Sequence, residues 1–143
     1  SSRMEDPTNI LAVLLATVAA VVIGGLWYGP VFGKPWMRMM GFTPESMKAM
    51  KLSPAVAMGT MAVLAFLMMY VLAHGIIFGN AYIGSSGIEG ALMGAFWYWL
   101  GFIVPLTAGP FLWENKTWKL WAFNAAYYFV TLMLGAAIIG ALP

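Results

Sequence analysis

The segment at residues 27–36, W-Y-G-P-V-F-G-K-P-W, decides how the rest of this sequence is arranged. An unbroken apolar run precedes it, and a basic, methionine-rich stretch follows it. Tryptophan and tyrosine favour the headgroup level of a bilayer because each has an apolar body and a polar tip, while Lys34 and Arg38 mark the water side. The glycines and prolines between them interrupt a helix. We therefore predict that a membrane span ends here and that the chain leaves the bilayer in a turn.

The composition of the chain sets its class. Of the 143 residues, 62% are hydrophobic and 8% are charged, and the mean hydropathy is +0.85. A soluble domain needs far more polar surface, so these values predict an integral membrane protein whose partner is the lipid bilayer. The net charge of +2 is too small to indicate a nucleic-acid partner, and the absence of cysteine excludes thiol chemistry.

Four apolar runs predict an all-α, polytopic fold with four transmembrane helices at residues 10–28, 55–78, 87–109 and 118–142. Residues 1–3 resemble the remnant of a purification tag, and Met4 resembles the natural start, so the predicted single domain covers residues 4–143. Pro105 lies inside the third run and should kink that helix, with Thr107 or a neighbouring helix satisfying the carbonyl that proline leaves free.

The first loop is predicted to contain a short helix that lies on the membrane surface. Thr43 is suited to an N-cap, Pro44 to the first turn and Glu45 to the positive end of the helix dipole, which gives a helix to about Lys51. Its methionines would face the acyl chains while its lysines reach the headgroups.

Small residues recur at every fourth position of the first span, at Ala12, Ala16, Ala20 and Gly24. Such a stripe lets a second helix approach closely, which is how helices associate in lipid, where the hydrophobic effect between them is absent. The third span has a comparable face that includes Gly90 and Gly94. We expect these faces to support packing and to hold together a homo-oligomer or a larger membrane complex.

Three adjacent aromatic residues, Trp97, Tyr98 and Trp99, fall near the bilayer midplane, too deep for an interfacial belt. Their polar tips need partners, and the fourth span offers a polar stripe of Asn124, Tyr127, Tyr128 and Thr131. One interpretation is a pocket for a flat hydrophobic ligand such as a quinone, a lipid or a pigment. The other is ordinary aromatic packing between two helices.

Glu89 and His74 lie near the facing ends of the third and second spans, so a short connection brings them to similar depth. An ionisable pair within a membrane can pass a proton or bind an ion. The alternative is that Glu89 is solvated at a helix N-terminus and that His74 satisfies a backbone carbonyl. One histidine and one membrane-level glutamate do not make a metal or hydrolytic site, so no metal, cofactor or enzyme activity is predicted.

Two aromatic and basic motifs carry a resemblance to a known family. The first is W-Y-x-P with F-G-K-x-W, formed by Trp27, Tyr28, Pro30, Phe32, Gly33, Lys34 and Trp36. The second is W-E-x-x-x-W-K with a following asparagine, formed by Trp113, Glu114, Trp118, Lys119 and Asn124. With these motifs the chain resembles a family of small prokaryotic four-helix membrane proteins of unknown function. The resemblance implies a four-helix fold in a prokaryotic inner membrane and implies no activity.

Apart from Arg3 in the predicted tag remnant, the basic residues all flank the first and third loops. By the positive-inside rule these loops are cytoplasmic and both termini are outside. Three functions remain open: a non-catalytic subunit or homo-oligomer, which the sequence favours; a small oligomeric transporter or channel with a path past Glu89 and His74; and a binder of a flat hydrophobic ligand near Trp97, Tyr98 and Trp99.

Overall fold

The computed structural model describes residues 6–143, so the predicted tag remnant and the start at Met4 lie outside the described residues. Four helical segments are long and apolar enough to cross a membrane: Ile10–Val31, Pro54–Ile83, Gly87–Trp113 and Trp118–Ala141. The part of the chain that the structure describes contains no β-strand. The prediction of an all-α fold with four apolar helices is confirmed.

The first span is longer than the sequence predicts. Helix α1 covers Ile10–Leu26 after the N-cap Asn9, whose side chain accepts from the amides of Leu11 and Ala12. The chain then continues as a π-helical segment, Trp27–Val31, which is kinked at Gly29, one of the residues predicted to interrupt the helix, where φ is −115° and ψ is −113°. Pro30 has no N–H for an ordinary helical bond, and the wider turn lets the Phe32 N–H donate to the Trp27 carbonyl at 3.1 Å.

The first loop holds two short helices where the sequence predicts one. Helix α2, Gly33–Met40, was not predicted because its glycine and proline resemble turn residues, yet proline is well tolerated in the first turn of a helix. Helix α3, Pro44–Lys48, begins at the predicted N-cap: the Thr43 hydroxyl accepts from the Ser46 amide, and the Ser46 side chain accepts from Thr43 in return.

The second span is a single helix, α4, Pro54–Ile83. The third is broken into α5 (Gly87–Tyr98), a π-helical segment (Trp99–Ile103), α6 (Val104–Leu106) and α7 (Gly109–Trp113). The break lies around Pro105, as predicted. The Thr107 hydroxyl donates to the Ile103 carbonyl at 2.7 Å, and the indole of Trp121 donates to the Val104 carbonyl at 2.9 Å, so a side chain and a neighbouring helix both satisfy carbonyls near the kink.

The fourth span, α8 (Trp118–Ala141), contacts α1, α4 and α5, while α1 and α5 each also contact α4. The four spans therefore form a bundle in which sequential helices run antiparallel. The two ends of the described chain meet on one side of it, where the Asn9 amide donates to the Leu142 carbonyl at 3.0 Å.

The alanine stripe of α1 is buried inside this bundle. Ala12 and Ala16 are 0% exposed and Ala20 is 2% exposed. A side-chain carbon added at Gly135 of α8 would lie 3.6 Å from the Cβ atom of Ala16, which shows how closely these two helices approach. The stripe packs helices of one chain, as small residues do in lipid, and it is not available to a second copy.

The bundle is packed at one end and open at the other. The packed end, called the terminal end, holds residues 6–9, the C-terminus and the α4–α5 turn; the opposite end, with the first and third loops, is called the loop end. Buried residues of α4 fall only between Met69 and Ile76, and those of α5 between Gly90 and Ala95. At the loop end α4 therefore stands away from α1 and α8, and a cavity opens between them.

Candidate functional site

The cavity at the loop end is a cleft of ≈ 490 Å³, called the slot, between α1, α4 and α8. This volume lies within the range of small-molecule sites. Its wall near the first loop carries the hydroxyl-bearing residues Tyr28, Thr60 and Tyr128, and its deeper wall is formed by apolar side chains such as Leu64 and Met68. None of the residues that line the slot carries a formal charge.

Tyr28 is held in place by the fourth span. Its hydroxyl donates to the Asn124 side-chain oxygen at 2.6 Å, a contact between residues 96 positions apart. Tyr28 lies in the kinked segment that follows α1, next to Gly29, whose backbone is not helical. A side-chain carbon at Gly33 would lie 3.0 Å from the Tyr28 carbonyl, so glycine lets α2 fold directly beneath this segment.

Aromatic rings stiffen this side of the slot. Tyr28 packs edge-on against Tyr127 at 5.2 Å between ring centroids and against Trp36 of α2 at 5.1 Å. Tyr127 also packs edge-on against Tyr128 at 4.9 Å. Each edge-to-face pair contributes about 0.5–1.5 kcal/mol beyond area burial. The cluster therefore holds the tyrosine hydroxyls in fixed positions.

Glycine makes room for Tyr127. A side-chain carbon at Gly24 of α1 would lie 2.9 Å from the Tyr127 hydroxyl oxygen, so a larger residue would displace the ring. The hydroxyl instead approaches the Ala20 carbonyl at 3.5 Å, at the edge of hydrogen-bonding distance. The small-residue stripe of α1 thus serves the slot as well as the packing of the bundle.

Some polar groups at the slot are not used by the protein itself. The hydroxyls of Thr60 and Tyr128 and the amide N–H2 of Asn124 take part in none of the hydrogen bonds that join residues 6–143. The groups of Thr60 and Tyr128 belong to the slot wall, and Asn124 lies behind it, bonded to Tyr28. Hydroxyl and amide groups can donate to an acceptor oxygen of a ligand.

The predicted aromatic triplet does not join this group. Trp97 is 61% exposed on the outer face of the bundle. The Tyr98 hydroxyl donates to the Gly75 carbonyl at 3.0 Å, and the Trp99 indole donates to the Ala125 carbonyl at 2.8 Å. The three polar tips thus point to three different surroundings, and the partners of Tyr98 and Trp99 are backbone carbonyls. The predicted partners on α8 face α1 and Tyr28 instead, except Thr131, which is buried in the bundle core at 1% exposure.

His74 and Glu89 are not brought together. His74 Nδ1 lies 2.8 Å from the Tyr70 carbonyl, and its Nε2 lies 3.2 Å from the Asp6 carboxylate. Glu89 is exposed in the first turn of α5. This arrangement matches the structural alternative for both residues. It also reveals a contact that the sequence did not predict, between residues 6–9 and α4.

Asp6 is the anchor of that contact. Its carboxylate accepts from the Thr8 hydroxyl at 2.6 Å, from the Thr8 amide at 2.9 Å and from the Tyr70 hydroxyl. The hydrogen bond from the Thr8 side chain, followed by the one from Tyr70, lowers the pKa of Asp6 well below its usual range. Because His74 Nδ1 must donate to a carbonyl, its Nε2 donates to Asp6 only when the ring carries a second proton.

The two aromatic and basic motifs meet at one point. Phe123, next to Asn124, packs against Trp27 at 5.7 Å and against Tyr28 at 5.4 Å. From the third loop the Lys116 amine donates to the Met40 carbonyl at the end of α2, at 3.0 Å. The other motif residues that flank the third loop are exposed on the surface: Trp113, Glu114, Trp118 and Lys119.

The sequence singled out Tyr28 only as an interfacial residue. It singled out Asn124, Tyr127 and Tyr128 only as partners of the third-span aromatic residues, and it missed the α4 wall of the slot. Thr60 and Met68 lie in an apolar helix with no periodic polar signal, and a single threonine in such a helix is not distinctive. Their place in the slot depends on how α4 packs beside α1 and α8, which nothing in the local sequence indicates.

Comparison with known proteins gives a family and no activity. No curated protein and no solved structure matches the chain. A family model described as a protein of unknown function, DUF1761, matches residues 11–140, which include all four spans and both motifs. The chain therefore belongs to the DUF1761 family of proteins of unknown function.

Proposed function

We propose that this chain is a non-catalytic integral membrane protein that binds a neutral amphiphile with a flat, oxygen-bearing head in the slot. The observation that carries the proposal is the change in polarity along the slot. Hydroxyl groups lie at the end near the first loop, where Trp36 and Leu52 form the wall, and apolar groups line the end near Met68. An amphiphile in one leaflet of a bilayer has the same polarity profile.

The chemistry of the wall selects the head of the ligand. With no charged lining residue, the slot does not compensate the desolvation of an ionic head. Tyr128 and Thr60 offer hydroxyl donors to carbonyl or ether oxygens, and the rigid rings beside them offer flat apolar surface to a ring. A quinone-type head meets all three requirements. A quinone was also among the ligands that the sequence suggested, although for a pocket near Trp97, Tyr98 and Trp99.

Binding is testable by the quenching of tryptophan fluorescence with a short-tailed benzoquinone in mild detergent. Tyr128→Phe removes one hydroxyl and should weaken binding about fivefold to tenfold, the equivalent of one hydrogen bond. Ala65→Phe fills the slot and should abolish binding. Ala126→Phe is the matched control, because Ala126 lines a separate cleft between α8 and the third span.

Two outcomes decide against the proposal. Equal effects of the two alanine variants would show that quenching does not report on the slot. Displacement of the quinone by an anionic phospholipid, added as phosphatidylglycerol, would show that the slot is a site for lipid headgroups.

We further propose that the loop end faces the cytoplasm of a prokaryotic cell and that α2 and α3 lie at the membrane surface. Lys34 and Arg38 of α2 are exposed while Trp36 between them packs into the slot wall, which supports an interfacial position. The chain has no cysteine, so single cysteines report orientation without background. A cysteine at Ser85 should react with an impermeant maleimide from outside and one at Ser46 should not. The reverse pattern would overturn the orientation.

A further inference from the structure

A second cavity lies beyond the slot along the same helix. It has a volume of ≈ 360 Å³ and is called the groove. Its wall consists of α4, residues around Tyr98 and Phe102 of the third span, and Leu132 of α8. The polar side-chain atoms at its edge already have partners within the protein. The Tyr98 hydroxyl donates to the Gly75 carbonyl, and the two ring nitrogens of His74 lie beside the Tyr70 carbonyl and the Asp6 carboxylate. The groove therefore offers apolar surface only.

The slot and the groove meet at Met68, which lines both cavities. The same face of α4 runs through them, with Thr60, Leu64, Met68 and Leu72 at successive turns. On α8, Tyr128 of the slot and Leu132 of the groove are also one turn apart. The two cavities thus follow one another along α4, with Met68 between them, and the two together are called the depression.

The length of this depression is informative. At about 1.5 Å per residue, the helix from Ala57 to Phe78 spans about 32 Å. This is close to the ~30 Å thickness of the hydrocarbon core, or about two leaflets. A tail that starts in the slot and follows α4 therefore passes the bilayer midplane and continues beside the opposite leaflet.

We propose that the ligand of the slot carries a long, unbroken apolar tail of the polyprenyl kind, and that this tail runs past Met68 into the groove. This inference rests on the proposed function, since it assigns the head to the slot. The apolar walls of the groove fit a tail without polar groups. Met68 lies at the junction of the two cavities, and methionine adapts its shape to irregular neighbours.

The position of the tail is a better test than its affinity, because moving a tail from lipid to an apolar groove gains packing and no hydrophobic free energy. The probe is a long-tailed benzoquinone with a diazirine at the end of its tail, in nanodiscs of phosphatidylcholine. Irradiation followed by peptide mass spectrometry locates the end of the tail. We expect labels on the α4 segment around Val71 and Phe78 and on the segment around Phe102.

Met68→Trp should block the junction between the two cavities and reduce labelling of the groove at least tenfold. Met58→Trp is the matched control, because Met58 lies on the same helix, is 46% exposed and lines neither cavity. Its groove labelling should equal that of the wild type.

The wild-type experiment alone can overturn the inference, so the test does not depend on how a variant folds. Labels on lipid-facing residues of α1, such as Val18 and Val22, instead of groove residues would show that the tail lies in the bilayer. That result leaves the proposed function intact if the short-tailed quinone binds in a Tyr128-dependent manner. If neither the long-tailed nor the short-tailed quinone binds, the proposed function itself is wrong.

Discussion

The terminal end and the loop end of the bundle are built from different residues, and their difference shows where this fold is stable and where it is open. At the terminal end the contacts between helices involve alanine and glycine: a side-chain carbon at Gly140 of α8 would lie 2.8 Å from the Cβ atom of Ala91 on α5. At the loop end aromatic rings and kinked segments keep the helices apart. Close packing supplies stability at one end, and its absence leaves room for a ligand at the other.

The largest expected effect comes from the same substitution made at two positions of α4, one in its packed middle and one near its loop end. Met69→Ala removes a side chain that is 0% exposed in the packed core, and the resulting cavity should cost about 2 kcal/mol or more of the free energy of unfolding. Met58→Ala, at the open end of the same helix, should stay within about 0.5 kcal/mol. Thermal unfolding in detergent measures both. Equal losses would contradict the contrast between the two ends.

Overpacking of the α1–α8 contact should have the next largest effect. Ala16→Leu inserts bulk where Ala16 is 0% exposed against Gly135, and should destabilise the bundle by about 1–3 kcal/mol. Ala19→Leu is the control and should be close to neutral, because Ala19 lines an open cleft of ≈ 620 Å³ between α1 and α8 that has room for the larger side chain. If Ala16→Leu changes the oligomeric state and leaves the stability unchanged, the small-residue stripe of α1 would be an interface between copies of the chain after all.

A smaller effect is expected from the aromatic residues of the third span. Trp99→Phe keeps the ring and removes the donor to the Ala125 carbonyl, which should cost about 0.5–1.5 kcal/mol. Trp97→Phe should change nothing measurable, because Trp97 is 61% exposed. The free energies of unfolding of the two variants, measured under the same conditions, give the difference. A larger loss for Trp97 would indicate that its outer face is covered by another protein.

The smallest effect concerns the contact of residues 6–9 with α4. Since the pKa of Asp6 is lowered in the folded state, the stabilisation from its contacts is present at neutral pH and is lost only as the pH falls through that lowered value. Acidification through the usual aspartate range should leave the contact intact. Hydrogen exchange of the Thr8 amide, which donates to Asp6, measures it. Asp6→Asn should accelerate this exchange at every pH.

The sequence predicted the spans well because the period and length of apolar runs are local properties. It predicted the caps of α3 for the same reason, since Thr43 and Ser46 are three residues apart. Half of the candidate site was also visible, as the polar stripe of α8. Its pairing with Tyr28 was not, because that contact joins residues 96 positions apart through the kinked segment that follows α1. The placement of Trp97, Tyr98 and Trp99 depended on the same non-local geometry.

The hydrogen bond from Lys116 to Met40 joins the third loop to the helix that forms part of the slot wall. Helix α2 carries the slot residue Trp36 and begins beneath Tyr28. At its end, the Lys116 ammonium group donates to the Met40 carbonyl. A hydrogen bond of a charged donor contributes about 1.5–3 kcal/mol. Together with the packing of Trp36 on Tyr28 at 5.1 Å, this contact makes the third loop a support of the slot wall, although no residue of that loop lines the slot.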